Sequence, residues 1–196
     1  FSDTLKEMNN LAHILRNSKN RKGYIDFELG EVKISCDENG RANDIHKVER
    51  EDAEKMIEQF MIIANETVAT CIYNMDLPFI YRVHDVPSEE KIGDFMKFVA
   101  ILGYQVNAKL KDISPKTMQS ILEQLKDKKE YETLSANLLR SMKKAKYQRE
   151  NIGHFGLASQ CYTHFTSPIR RYPDLLVHRL LRKYLFDHEI DNKIDE

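Results

Sequence analysis

Leu5, Met8, Ala12 and Leu15 recur every three or four residues, the spacing of one helix face, so residues 3–18 read as an amphipathic helix closed by the Asn17-Ser18-Lys19-Asn20 run and Gly23. The period then shortens to two. Tyr24, Ile25 and Phe27, then Val32, Ile34 and Cys36 among charged neighbours, predict two strands, and Asp37-Glu38-Asn39-Gly40 predicts the turn into a third over 42–48. These three make a small antiparallel meander. From 50 to 74 the helical period returns, with Ala53, Met56, Ile57, Phe60, Ala64, Val68 and Cys71 as the expected core face and Glu51, Asp52 and Glu54 in the first turn, where free backbone N–H groups favour acids.

Phe79 to His84 has the aromatic and β-branched composition of a short buried strand, stopped by Pro87. Ser88 caps a helix whose face is Ile92, Phe95, Met96 and Val99, with Gly103 at its end; Ser114-Pro115 starts another, lined by Met118, Ile121, Leu122 and Leu125. A further helix is expected over 131–144. Residues 147–166 break the pattern and read as an ordered loop or irregular strand, after which Leu175, Leu176, Leu180, Leu181 and Tyr184 define a last helix to about 186. The pattern therefore predicts an α+β, helix-rich fold with a small antiparallel β-meander and one short additional strand.

Length and composition fit this picture: 196 residues, 41% of them hydrophobic, with a mean hydropathy of −0.56, are enough for one soluble unit with a sizeable core. Cys36, Cys71 and Cys161 are an odd number at wide spacing with no CxxC pair, which argues against a disulfide framework or structural zinc and for a reducing cytoplasm. No apolar run is long enough to span a membrane. Phe1 opens straight into a helical pattern and the chain stops in Asn192-Lys193-Ile194-Asp195-Glu196, so a fragment of a longer protein is expected. The net charge of −1 first suggests indifference to polyanions, but it is an average over unlike segments. Residues 1–139 carry 19 basic and 24 acidic side chains, residues 140–186 carry 10 and 2, and residues 187–196 carry 1 and 5.

The basic block holds the strongest candidate chemistry. In Thr163-His164-Phe165-Thr166-Ser167-Pro168-Ile169-Arg170-Arg171-Tyr172-Pro173-Asp174, Ser167-Pro168 is a helix-start signature that puts Ser167 at the N-cap and Arg170 near N3, unless Pro173 delays the regular helix. Either way, two guanidinium groups stand near a helix N-terminus, whose N–H groups and dipole attract phosphate. The competing reading is a capped helix whose arginines pair with carboxylates. Arg140, Lys143, Lys144, Lys146 and Arg149 before the loop and Arg179, Arg182 and Lys183 after it, interleaved with Tyr147, Phe155, Tyr162, Phe165 and Tyr172, are the ingredients of a single-stranded nucleic-acid groove. The same aromatics also suit an ordinary core, and the same cations a solvated helix face.

The run from Asn151-Ile152-Gly153-His154-Phe155-Gly156-Leu157-Ala158 through Tyr162 and His164 to Asp174, then His178-Arg179, closely resembles the C-terminal portion of the RNB catalytic domain of ribonuclease R-type exoribonucleases. Other blocks match in order: Gly23 to Glu28, Ile80-Tyr81-Arg82-Val83-His84-Asp85-Val86-Pro87, and Leu138-Leu139-Arg140-Ser141-Met142-Lys143. The resemblance covers nearly all of residues 1–196. It implies a processive enzyme that shortens single-stranded RNA from its 3′ end, releases nucleoside 5′-monophosphates, and uses Mg²⁺ held by an aspartate cluster. In the family that cluster precedes the matched portion, and Asp26, Asp37, Asp44, Asp52, Asp76 and Asp85 are scattered here, so no metal ligand is assigned. The expectation is a partial RNB domain, without the metal-binding segment and flanking oligonucleotide-binding folds, with little or no activity alone.

The resemblance makes Arg170 the catalytic cation, which contacts the scissile phosphate and stabilises the charge that builds there. Arg171 and Ser167 are assigned to phosphate binding or loop positioning, and Tyr162 to lining the RNA channel. Phe79 and Tyr81 are assigned to stacking on bases near the 3′ end, with the core as the alternative. His154 and His164 are expected to be structural, because metal-activated water needs no histidine base. Arg82, His84 and Asp85 are read as a local ion-pair and turn network. Two other readings compete: an RNA-binding module or degenerate paralogue without catalysis, and a helical scaffold whose basic block meets an acidic protein. The main reading expects no membrane and no obligate protein partner.

Overall fold

The computed structural model describes residues 1–27, 31–48, 51–108 and 113–190. Helix α1 (Ser2–Lys22) runs one turn beyond the expected end, stopping where Gly23 takes a left-handed conformation (φ 101°). A Cβ at Gly23 would stand 2.7 Å from the backbone N of Lys116, so glycine is required both for the turn and for close approach of the next helices. Only the C-terminal half of α1 packs inward: Ala12 and Lys19 are buried whereas Leu5 is exposed. Lys19 Nζ lies 3.1 Å from Glu66 Oε1, a partly buried ion pair that ties α1 to the next helix, and burial lowers the lysine's pKa against that pairing.

The expected three-stranded meander is a two-stranded hairpin, β1 (Glu31–Cys36) and β2 (Ala42–Val48), antiparallel with Ile34 opposite Ile45. Tyr24 to Phe27 is not a strand. Its N–H groups go elsewhere, Tyr24 to the Lys19 carbonyl and Ile25 to the Gly156 carbonyl, and the successive side chains of Tyr24 and Ile25 are both buried, which a one-faced strand does not allow. Glu28, the predicted helix start at residue 50 and the polar terminus from residue 191 lie outside the described residues.

Helix α2 (Asp52–Asn74) buries Met56, Gln59, Ile62, Asn65, Ala69 and Ile72, a stripe rotated from the predicted one; Ile57 and Cys71 are exposed. Strand β3 (Tyr81–Val83) pairs antiparallel with β4 (Lys146–Gln148), Tyr81 opposite Gln148. Between them, α3 (Glu89–Ile101), α4 (Pro115–Leu125) and α5 (Tyr131–Ser141) enclose a core of Ile92, Phe95, Val99, Met118, Ile121, Leu125, Leu134 and Leu138. Ser88 Oγ accepts from Lys91 N, and Ser114 Oγ from Thr117 N, so both predicted caps form. A second core joins Ala69 and Ile72 of α2 to Phe79, Tyr81 and Val83, Cys161, and Val177 and Tyr184 at the C-terminal end. This is the expected α+β, helix-rich architecture.

The last helix, α6, spans Tyr172–Leu181 and continues as one turn of π-helix over Arg182–Phe186. It does not start at Ser167. A helix from Ser167 would place Pro173 in its interior, where the ring lacks an N–H and strikes the carbonyl of the preceding turn; at the first turn the same proline costs nothing. Residues 168–170 instead form a separate turn.

Candidate functional site

The site lies where the segment 151–171 crosses β3 and meets the start of α6. Arg82 N donates to the Tyr162 carbonyl (2.9 Å) and Thr163 Oγ1 to the Ile80 carbonyl (2.7 Å), which lays residues 162 and 163 alongside β3. Asn65, buried on α2, then spans the segment: its Nδ2 donates to Tyr162 Oη and its Oδ1 accepts from Phe165 N, each at 2.9 Å. From the other side, His178 of α6 donates through Nε2 to the Phe165 carbonyl (2.9 Å) and stacks on the Phe165 ring, centroids 4.4 Å apart. Both peptide groups of Phe165 are thereby fixed before the arginine turn begins.

The Ser167 carbonyl accepts from the backbone N–H of Arg170 (3.3 Å) and of Arg171 (3.2 Å). The Ser167 N–H donates to Asp174 Oδ1 (2.8 Å), and Arg171 Nη2 donates to the same oxygen (2.9 Å). Asp174 is fully buried. Arg171 and Ser167 are thus tied to a carboxylate, and Ser167 contributes its backbone rather than its hydroxyl. Arg170 is different. It is exposed, and its guanidinium takes part in no hydrogen bond or ion pair among the described residues. The positive charges of Arg171, Arg82 and Arg170 all act on the ring of His164, so the three cations lie within electrostatic reach of it.

Beneath them is a layer of neutral rings. His164 Nδ1 lies 2.6 Å from Tyr147 Oη, and the Arg82 guanidinium sits 4.6 Å above the Tyr147 ring. Tyr162 packs edge-on against both His154 (5.3 Å) and His164 (5.7 Å), and His84 against His154 (5.1 Å). Burial, reinforced by neighbouring His84 and Arg82, pulls the His154 pKa from 6.5 to about 3; burial, then the Arg171 charge, pulls His164 from 6.5 to about 4. At neutral pH both rings are uncharged, and the bond between Tyr147 Oη and His164 Nδ1 takes its direction from the imidazole tautomer. Neither ring carries an imidazolium proton to give at that pH, and both are weak bases. His84 Nδ1 accepts from Gly156 N (3.0 Å), and a Cβ on Gly156 would stand 2.9 Å from that atom, so only glycine lets the segment pass here.

Tyr162, 6% exposed with its hydroxyl committed to Asn65, is part of this packed layer. Phe79 and Tyr81 are 2% and 4% exposed, packed edge-to-face at 5.4 Å in the second core; their edges border a cavity of about 370 Å³ with Arg149 and Asn151. Asp85 pairs with Lys143 (2.6 Å) and accepts from Val86 N (2.8 Å), whereas Arg82 and His84 turn into the ring layer, so the three do not form one network. Asn65 is outside the sequence motifs, and Asp174 and His178, although inside them, had no role assigned from sequence. An asparagine repeating at helical spacing with buried residues, and an acid inside a basic block, were the signals available.

Among the described residues, no group of three or more His, Cys, Asp or Glu side chains is arranged to hold a metal ion, so the residues described do not by themselves fit the Mg²⁺ that the resemblance implies. No helix among them is long and apolar enough to cross a membrane.

The chain is 48% identical over 183 residues to ribonuclease R 1 of Lactococcus lactis, covering 93% of this chain and 22% of that protein. It is 49% identical over 186 residues to ribonuclease R of Thermotoga maritima, covering 94% and 26%. The chain spans about a quarter of the length of these relatives. Among solved structures, RNase R of Mycoplasma genitalium in complex with ribose-methylated single-stranded RNA superposes with a TM-score of 0.91 at 37% identity, covering 97% of this chain and 30% of that one. The RNB domain model matches residues 1–187, and on that match the chain belongs to the RNB domain family.

Proposed function

We propose that this chain forms the phosphate-gripping part of the active site of a processive 3′-to-5′ exoribonuclease of the ribonuclease R type, acting on the 3′ end of single-stranded RNA in the cytoplasm. In that reaction water adds to the terminal phosphorus and the P–O3′ bond breaks, leaving a 3′-hydroxyl on the shortened RNA and releasing a nucleoside 5′-monophosphate. Negative charge builds on the phosphoryl oxygens as the bond order changes. Arg170 is the group that meets it. The observation that carries this reading is the combination of an exposed guanidinium without an internal partner and a backbone turn held on both sides. The held backbone places the guanidinium where it can meet that charge, and losing such a donor costs on the order of 100- to 1000-fold in rate. Divalent metal, expected as Mg²⁺, comes to the reaction from ligands other than those described, and this chain's contribution is the cation and its scaffold. The three unpaired cysteines suit a reducing compartment.

The test is shortening of a 3′-tailed single-stranded RNA with Mg²⁺ by the full-length protein that carries this chain. Arg170→Ala is expected to lower the rate by about 100- to 1000-fold with little change in the protein's melting temperature. Unaltered shortening by that variant would refute the role. The 196-residue chain alone is expected to bind single-stranded RNA in a salt-dependent way while hydrolysing little or none. RNA binding without any shortening by the full-length protein would support the binding-module reading instead.

A further inference from the structure

Asp174 is a fully buried carboxylate in the first turn of α6. We infer that Asp174 is a positioning residue for Arg170, an inference that rests on Arg170 being the catalytic cation. A carboxylate with no solvent exposure is costly unless it is hydrogen-bonded. Here its partners are the Ser167 N–H at 2.8 Å and Arg171 Nη2 at 2.9 Å, both on the one oxygen Oδ1. These partners bracket Arg170 in the chain. Ser167 opens the turn, Arg171 follows Arg170 directly, and the Ser167 carbonyl closes back on the N–H of both arginines. One carboxylate therefore holds the turn at its entry and its exit.

Arg170 depends on that hold because its own side chain touches no partner among the described residues, so its position comes from the backbone alone. The unmade contacts show which bond orients the carboxylate. Among the described residues Asp174 Oδ2 and Arg171 Nε, both buried, have no hydrogen-bond partner, although joining them would complete a bidentate pair. Asp174 is set by the Ser167 N–H rather than by best fit to Arg171. It is anchored in turn by the first turn of α6, with Val177 one turn on in the core and Pro173 fixing the backbone before it.

The experiment is a double-mutant cycle in the full-length protein, following kcat and KM for shortening of a 5′-labelled single-stranded RNA. Asp174→Ala is expected to lower kcat by about 10- to 100-fold with KM changed by less than about threefold, the cost of a reacting group displaced by roughly 1 Å. Asp174→Asn keeps an acceptor for the Ser167 N–H and recovers most of the rate. In an Arg170→Ala background, Asp174→Ala is expected to cost no more than about a further twofold, because the group it positions is gone. The same fold loss in both backgrounds, a rise in KM at constant kcat, or Asp174→Asn no better than Asp174→Ala would overturn the inference. Should Asp174→Ala not melt cooperatively, the cycle is run with Asp174→Ser, whose side chain is one bond shorter, and equal fold losses in the two backgrounds again count against it. Failure of the wild-type protein to shorten RNA, or full activity of Arg170→Ala, overturns the proposed function as well. An active, Arg170-dependent enzyme with multiplicative losses overturns only the role of Asp174.

Discussion

Replacing Asn65 by leucine keeps the branched shape of the side chain at a larger volume and removes both of its hydrogen bonds. Asn65 is 2% exposed and joins α2 to the segment that carries the arginines, through Tyr162 Oη and Phe165 N, each at 2.9 Å. A typical internal hydrogen bond contributes about 0.5–1.5 kcal/mol, but a buried group left without a partner costs about 1–3 kcal/mol. Two such groups are stranded here, so Asn65→Leu is expected to destabilise the chain by about 2–6 kcal/mol, a large share of the roughly 5–15 kcal/mol that stabilises a domain. For a chain of this size that is a melting temperature lower by about 4–24 °C. Urea unfolding followed by circular dichroism measures it, with an unchanged m-value showing that the transition itself is the same. Asn65→Ala, which leaves room for a water to serve both stranded groups, is expected to fall between leucine and wild type. A leucine variant within about 1 kcal/mol of wild type would refute the claim that these bonds hold the segment in place.

The neutral histidine layer makes stability depend on pH. His154 and His164 bind protons in the unfolded chain near 6.5 but only near 3 and 4 in the fold, so the unfolded state holds more protons between those values and stability falls as pH drops below about 6.5; denaturant midpoints that stay flat from about pH 7 to 5 would contradict this. Gly156→Ala drives a methyl to 2.9 Å from His84 Nδ1 and is expected to cost about 1–3 kcal/mol in the same unfolding assay; a neutral effect would mean that the crossing is looser than it stands. Ser167→Ala keeps the backbone N–H that Asp174 accepts, so RNA shortening is expected to change by less than about threefold, and a loss near that of Arg170→Ala would reassign the hydroxyl to substrate. Lys143→Ala breaks an exposed pair with Asp85 and is expected to change stability by no more than about 1 kcal/mol.

What sequence by itself determined follows from local physical chemistry. Helix spans over α3, α4 and α5, the caps at Ser88 and Ser114, and the turn at Gly40 depend on residues a few positions apart, and each is found. The basic block and its order of motifs marked the segment that holds the candidate site, and the resemblance carried by those motifs pointed to Arg170. The rest depended on contacts between distant segments. The buried face of α2 was rotated from its hydropathy stripe because Asn65 is satisfied by residues about 100 positions away, which no periodicity records. Tyr24 to Phe27 alternates like a strand but has no ladder to join, since its N–H groups are taken by Lys19 and Gly156. Phe79 and Tyr81 read equally as base-stacking or core aromatics, and packing against Ala69, Ile72 and Val177 put their faces inside. The sharpest case is the arginine pair. Two adjacent arginines are chemically equivalent in sequence, and only the tertiary structure separates them, because a carboxylate buried at the start of α6 captures Arg171 and leaves Arg170 in solvent.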